Sequence, residues 1–351
     1  MNEKNIQEGA KKMKAAYLKA PYQFEVRSVE LREIREDEVL VKVRACGFCG
    51  HDNILASYAA KEWEPFGHEF SGTVVKAGNR VSNVAIGDNV VIETSTFDPL
   101  HPCSLNGHPE RDTDGPSFME MKDNSMGFAE YAIVPAVLCV KFDGMSFEEA
   151  CIMEPLGVAC DLVMTANIHL NNDVLVLGLG PIGLMALKMA KSSGARKIYA
   201  AEFSTAKKRC ELAKEYGADE IIYTDKVKLE DYKFDRGGVD RVLVTAPPKV
   251  IGSACNVTNI GGIVSFLGIS YGPDAIVSFD SNVVHLRKLQ IRGSNAIPAL
   301  YFPKCIDMIN AGLVDVKNLI THRFSLEELP QALLNYHEDR ENSIKAVMLH
   351  D

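Results

Sequence analysis

The run Asp173–Ala190, DVLVLGLGPIGLMALKMA, decides how this chain folds. It opens as a buried-type strand, DVLVL, and from Pro181 its apolar residues recur at helical spacing. Between strand and helix stand Gly178, Gly180 and Gly183 in a GxGxxG arrangement. Alone, that pattern is weak, because glycine also serves ordinary tight turns. Here the context gives each glycine work: the first allows the turn, the second lets a backbone approach a pyrophosphate, and the third permits close packing of helix on strand. The N–H groups of the first helical turn, around Pro181 and Ile182, and the positive end of the helix dipole then meet the phosphate charge.

Outward from this unit the same texture repeats. KIYAAE, EIIY, RVLVTA and GIVSFLG read as further buried strands, and TAKKRCELAKEYG as another helix. Strands alternating with helices imply right-handed crossovers and a doubly wound parallel sheet, an α/β domain expected over residues 155–294. Glu202 ends the second strand, 19 residues after Gly183, where a carboxylate accepts hydrogen bonds from the ribose hydroxyls of an adenosine. A carboxylate there repels a 2′-phosphate, so NAD is expected over NADP. Lys207, Lys208 and Arg209 follow and weaken that preference. They read first as a solvated helix face, with Arg209 retained as a cofactor-binding candidate.

Before residue 155 the texture is different. VLVKVRA, SGTVVKAG and GDNVVIE alternate β-branched and polar residues between Gly, Asn and Asp, which predicts a mostly β domain over residues 13–154. The helix-like YFPKCIDMINAG and the strand-like IKAVML lie in a C-terminal stretch, 295–351, that is too short to fold alone and is expected to return to the first domain. Residues 1–12 read as a polar extension. Residues 97–126 form a long polar stretch without periodicity, a kind of loop that tends to be functional or mobile.

With 351 residues, about two domains are expected at roughly 150 residues each. A formal charge of −9 offers no basic surplus for nucleic acid. There is no apolar run of membrane-spanning length and no secretory h-region, so a cytoplasmic protein is expected. The nine cysteines are scattered rather than paired densely, which favours free thiols and metal ligands over a disulfide framework.

Cys46 and Cys49, in RACGFCGHD, have CxxC spacing, which serves a redox pair, half of a structural zinc site, or one ligand beside a bystander. PFGHEFSG adds His68 and Glu69, and EEACIMEPLGVA adds Glu154 at the boundary between the domains. One thiolate, one imidazole and carboxylate oxygens suit a zinc site that retains an open position, whereas structural zinc takes four closed ligands.

With these segments in view, the chain resembles the zinc-containing medium-chain dehydrogenases, on the branch with sorbitol and other polyol dehydrogenases and threonine dehydrogenase. The matching segments run in order: CGFCGHD, GHEFSGTVVKAGNRVSNVAIGDNVV, GFAEYAIVPA, EPLGVA, GLGPIG and LITHRFSLEELPQAL. They cover nearly the whole chain. The resemblance implies a GroES-like catalytic domain joined to a Rossmann domain, and zinc- and NAD-dependent oxidation of a secondary alcohol on a polyol, sugar or cyclitol. Threonine or simple alcohols are the runner-up substrates. A non-catalytic NAD-binding relic and a thiol redox protein are the readings from other classes. Assembly as a homodimer or homotetramer is also implied, with a small polyhydroxy molecule as partner and neither nucleic acid nor membrane.

By the same resemblance, Cys49 is the metal-binding cysteine, His68 the metal-binding histidine, and Glu69 and Glu154 the acidic positions that bind the metal or hold its water. Cys46 becomes a packed bystander. Asp52 matches the carboxylate that orients the histidine ligand. His51 stands where the family more often has Ser or Thr relaying the alcohol proton, a task an imidazole is able to perform itself. In the long loop, where many members bind structural zinc through four cysteines, only Cys103 is present, with His101 and His108 nearby. One catalytic zinc and no structural zinc are therefore expected.

Overall fold

The computed structural model describes residues 12–119 and 126–350; the expected extension, apart from Lys12, lies outside them, as does part of the long loop. Lys12 itself begins the first strand, Lys12–Lys19.

Six parallel strands form the cofactor-type sheet: Asp173–Leu177, Lys197–Glu202, Glu220–Tyr223, Val239–Val244, Thr258–Phe266 and Gln290–Gly293. Numbered within the sheet, their spatial order is 3-2-1-4-5-6, the doubly wound Rossmann order, which opens a crevice between the first and fourth strands at their carboxyl ends. The first strand, flanked on both sides, is buried throughout. Gln290–Gly293 is a sixth strand that hydrophobic patterning does not reveal: it has four residues, three of them polar or glycine, and lies at the sheet's edge.

The other domain is built on a curved, mostly antiparallel sheet. Its path runs Ile320–Phe324, Lys345–Leu349, Glu38–Gly47, Glu69–Ala77, Asn89–Ile92, Cys139–Lys141, and Tyr131–Pro135 pairs with Glu38–Gly47 off that path. A smaller sheet joins Lys12–Lys19 with Gln23–Glu30 and Glu64–Pro65. The C-terminal strand pairs in register with the CxxC segment: Val347 faces Gly47, Met348 faces Cys46 and Leu349 faces Ala45. The end of the chain is thus laid against the residues that begin the candidate site. The observed architecture is the expected mixed α/β one, a GroES-like β domain beside a Rossmann domain.

One helix ties the two together. Met153–Ala166 carries Glu154 in its first turn and docks on the parallel sheet, where Ser265 Oγ donates to Leu162 O at 3.3 Å, Arg292 Nη1 to Thr165 O at 2.8 Å and Ser294 Oγ to Asp161 Oδ2 at 2.5 Å. Nine of its residues are buried, which welds the helix into the Rossmann core while its N-terminus reaches the other domain. Among the described residues no helix is long and apolar enough to cross a membrane.

Candidate metal and dinucleotide site

The strand Glu38–Gly47 ends at the CxxC, and Cys49 caps the short helix Gly50–Ile54. Its Sγ accepts from His51 N at 3.4 Å, while Asp52 Oδ2 accepts from Cys49 N at 3.0 Å. This reciprocal capping box fixes the cysteine at the loop-to-helix junction, with its sulfur turned into the site. Glu69 begins the neighbouring strand, paired in register with Gly47, and His68 immediately precedes it.

The ligand atoms of Cys49, His68 and Glu69 lie within 4.8 Å of one another. Among the described residues, they are the group of three or more such side chains close enough to hold one ion. His68 hydrogen-bonds with Cys49, and its Nδ1 is buried without a hydrogen-bond partner. A thiol, an imidazole and a carboxylate brought this close together with little solvent are the donor types zinc takes, so the donor set fits zinc. Glu154 is not part of the tight triad but faces it, interacting with both His68 and Glu69.

The electrostatics show how crowded the site is. Burial pushes the Cys49 thiol up, and Glu69 adds to the rise. His68 is held well above the ordinary imidazole value although burial pulls it down, because Cys49 and Asp52 face it. Burial raises Glu154 to about 7 against the pull of His68. Such arrangements are stable only when charge is compensated locally.

Part of that compensation comes from a residue that sequence reasoning missed. Lys345, buried on the C-terminal strand, pairs with Glu69 Oε2 and donates from the same Nζ to Phe48 O at 2.9 Å. Glu69 keeps its ammonium above the usual lysine value although burial acts the other way. A lysine in an apolar strand such as IKAVML was a signal in plain view, since lysine is almost never fully buried unless paired.

Asp52 stands 3.8 Å from His68 Nδ1, facing it but beyond hydrogen-bonding distance; its other oxygen serves the capping box. His51 is half-buried, its ring centroid 6.0 Å from that of His68, and its Nε2 lies 3.5 Å from the hydroxyl of Tyr271, which belongs to the Rossmann domain. Cys46 is fully buried with a free thiol. In the long loop, His101 Nδ1 accepts from Cys103 N at 3.2 Å, and His108 Nδ1 lies 3.1 Å from Glu110.

The glycine loop has the shape of a phosphate cradle. Gly178 has φ +94°, which L side chains rarely adopt. A Cβ on Gly183 would lie 2.0 Å from Gly178 O, so only glycine lets helix Pro181–Ser192 pack this closely. A Cβ on Gly180, by contrast, would meet nothing within 4 Å. Open space in front of the Gly180 backbone, at a helix N-terminus with Pro181 and Ile182 behind it, fits a pyrophosphate.

Glu202 Oε2 accepts from Leu179 N, inside that loop, and Oε1 from Phe203 N, both at 2.9 Å. Arg209 Nη1 lies 3.9 Å from Glu202, while its Nε donates to Ser343 O at 2.9 Å. Lys207 pairs with Glu341 at 2.7 Å. The basic cluster is therefore not simply a solvated face: two of its side chains bind the C-terminal segment 341–343.

Comparison with known proteins agrees with both halves of the site. Residues 35–144 match the alcohol dehydrogenase GroES-like domain, and residues 181–311 match the zinc-binding dehydrogenase domain. A sorbitol dehydrogenase from Bombyx mori is 31% identical over 339 residues, covering 91% of this chain and 94% of that protein. The chain belongs to the zinc-containing medium-chain dehydrogenases. An L-threonine 3-dehydrogenase from Pseudoalteromonas translucida is 32% identical over 314 residues, covering 84% of this chain and 88% of its own. Among solved structures, the alcohol dehydrogenase rspB of E. coli CFT073, complexed with NADH, superposes with a TM-score of 0.86 at 25% identity, covering 97% of this chain and all of that one. This medium-chain dehydrogenase is thus an oxidoreductase acting on CH–OH groups, of the polyol branch.

Proposed function

We propose that this enzyme oxidises a secondary alcohol of a polyol, sugar or cyclitol to a ketone, reversibly, with NAD as hydride acceptor. The observation that carries this reading is the thiol–imidazole–carboxylate triad of Cys49, His68 and Glu69, with Glu154 facing it. The paired carboxylates and the similarity to a sorbitol dehydrogenase support the polyol class. Glu202 at the glycine loop, and the NADH complex of a structural neighbour, support NAD.

Cys49, His68 and Glu69 would hold the zinc, and Gly178–Gly183 with Glu202 the dinucleotide. When bound, zinc supplies Lewis acidity toward the substrate oxygen and NAD supplies a place for the hydride. His51 takes the hydroxyl proton at Nε2; burial, then His68, holds it below the ordinary imidazole value, which favours the unprotonated ring that can accept. Tyr271, partly exposed at 3.5 Å, carries the path toward solvent. Glu154 holds a water or a second substrate hydroxyl beside the triad, and Asp52 keeps His68 oriented.

The same reading makes the enzyme a cytoplasmic homodimer or homotetramer assembled through its Rossmann domain. The open edge strand Gln290–Gly293 and the exposed Ile260 and Leu286 near it are in keeping with such assembly.

The test is NAD reduction by the zinc-loaded enzyme across polyols, cyclitols, threonine and simple secondary alcohols. Turnover confined to one stereochemical series of polyhydroxy substrates is expected. Turnover of threonine alone, or none at all with zinc and NAD both bound, would overturn the polyol reading.

A further inference from the structure

The helix that bridges the domains, Met153–Ala166, packs along Phe302–Asn310. The two meet at Gly157, where a Cβ would lie in ordinary contact with the Phe302 ring, 3.4 Å away. One turn further along both helices, at the same spacing of three residues, stand Cys160 and Cys305. The two thiols lie in the same buried cluster and act on each other across the seam. The next turn brings Met164 Sδ to 3.9 Å from Cys160 Sγ.

Neither cysteine belongs to the metal or dinucleotide site, and both are free and buried. Cys160 nevertheless has an access route. It lines a cavity of about 230 Å³ with Met164, Met189, Lys304 and Met308. The two thiols also differ. The interaction with Cys305, reinforced by Lys304, holds Cys160 below the ordinary thiol value in spite of burial, whereas Cys305 is raised. A thiol of that kind is the attacking one, and its neighbour the resolving one.

We propose that Cys160 and Cys305 form an oxidisable dithiol site, converted to a disulfide by hydroperoxides entering through this cavity, and that closure slows turnover. In the first step the Cys160 sulfur attacks a peroxide oxygen. An S–O bond forms, the O–O bond breaks, and the departing hydroxide or alkoxide takes up the Cys160 proton and leaves as water or alcohol. In the second, the Cys305 sulfur attacks the Cys160 sulfenic acid; the S–S bond forms, the S–O bond breaks, and water leaves with the Cys305 proton. Two thiols lose two electrons and the peroxide gains them.

The coupling to turnover follows from what the same helices carry. Glu154 and Gly157 line a small pocket with Thr94, Leu300, Tyr301 and Phe302, so the first turns of both helices the disulfide would join contribute to it. A bond that resets their spacing resets the pocket beside Glu154.

The experiment treats the zinc-loaded full chain with hydrogen peroxide, alkylates it, and maps its peptides alongside activity. Expected are a Cys160–Cys305 cross-linked peptide lacking two hydrogens, a several-fold fall in kcat, and recovery of both by dithiothreitol. Cys305→Ser should instead stop at a dimedone-reactive sulfenic acid on Cys160. Cys160→Ser should keep whatever loss arises from oxidation of Cys49 and lack the dithiol-dependent part. Separately alkylated Cys160 and Cys305 after peroxide would overturn the site. A cross-link that leaves kcat unchanged would overturn its coupling to turnover.

Discussion

Two glycines three residues apart make opposite demands, and a methyl group added to each separates cofactor binding from folding. Gly180 has φ −66° and ψ 179°, extended backbone that alanine adopts without strain, and its Cβ would meet no protein atom within 4 Å. Gly180→Ala should therefore leave stability unchanged or raise it by up to about 1 kcal/mol through the unfolded chain. The methyl would, however, project into the space through which a pyrophosphate approaches. Loss of one or two backbone hydrogen bonds to a charged group, at about 1.5–3 kcal/mol each, predicts NADH binding weakened at least tenfold. Gly183→Ala should do the reverse in order of severity. Its Cβ would lie 2.0 Å from Gly178 O and 2.7 Å from Thr245 Oγ1, and the nearer atom is backbone that cannot swing aside. Overpacking of this kind costs about 1–3 kcal/mol, and NADH binding falls because the loop itself is displaced. Urea unfolding of the cofactor-free proteins and fluorescence titration with NADH read the two effects separately. Native NADH affinity in Gly180→Ala would refute the cradle, and native stability in Gly183→Ala would refute the packing argument.

Cys49→Ala and His68→Ala should lose zinc, measured by metal analysis, and lose alcohol oxidation while keeping NADH affinity, because the two sites are built by different domains. His51→Ala should slow turnover and recover partly in added imidazole; an unchanged pH–rate profile would leave His51 a structural role. Lys345→Met should destabilise the metal-free protein by about 3–5 kcal/mol, the cost of leaving the Glu69 carboxylate buried and unpaired, and by less once zinc is loaded; equal losses in both states would refute the compensation. Glu93 is 7% exposed and burial pushes it up to about 8 from 4.5. Its neutral form is the one the fold prefers, so the cost is absent below the unfolded value, grows as pH rises through the window, and is complete above about 8. At ~1.4 kcal/mol per unit this is at most about 5 kcal/mol. Glu93→Gln should therefore gain stability over the parent at pH 8.5 and differ by under about 1 kcal/mol at pH 5, as read by urea midpoints; a gain independent of pH would refute it.

What could be read from the sequence was local in the chain. The Rossmann unit announces itself within 18 residues, Asp173–Ala190, because strand, turn and helix are successive and each has its own periodicity. The cluster of Cys49, His68 and Glu69 was reachable for a related reason: CGFCGHD and PFGHEF lie close together in the sequence, where two adjacent strands of one sheet end and begin. The edge strand Gln290–Gly293 escaped because a short strand flanked on one side only needs little apolar patterning.

The misses at the site share another cause. Lys345 meets Glu69 across 276 residues, Tyr271 meets His51 across 220, and Arg209 meets Ser343 across 134. No periodicity reports such pairs, since each is made only when a second domain or a returning terminus is in place. All three sit where one part of the chain closes on another: Lys345 against Glu69, Tyr271 against His51, Arg209 beside Glu202. The motifs supply the chemistry, and the long-range partners set its charge and access. A chain with intact motifs and a truncated C-terminal strand would keep Cys49, His68 and Glu69 in sequence, yet lose the cation that lets Glu69 be buried as a carboxylate. In such a chain the triad should form only with metal present, because the ion would then be the sole compensating charge.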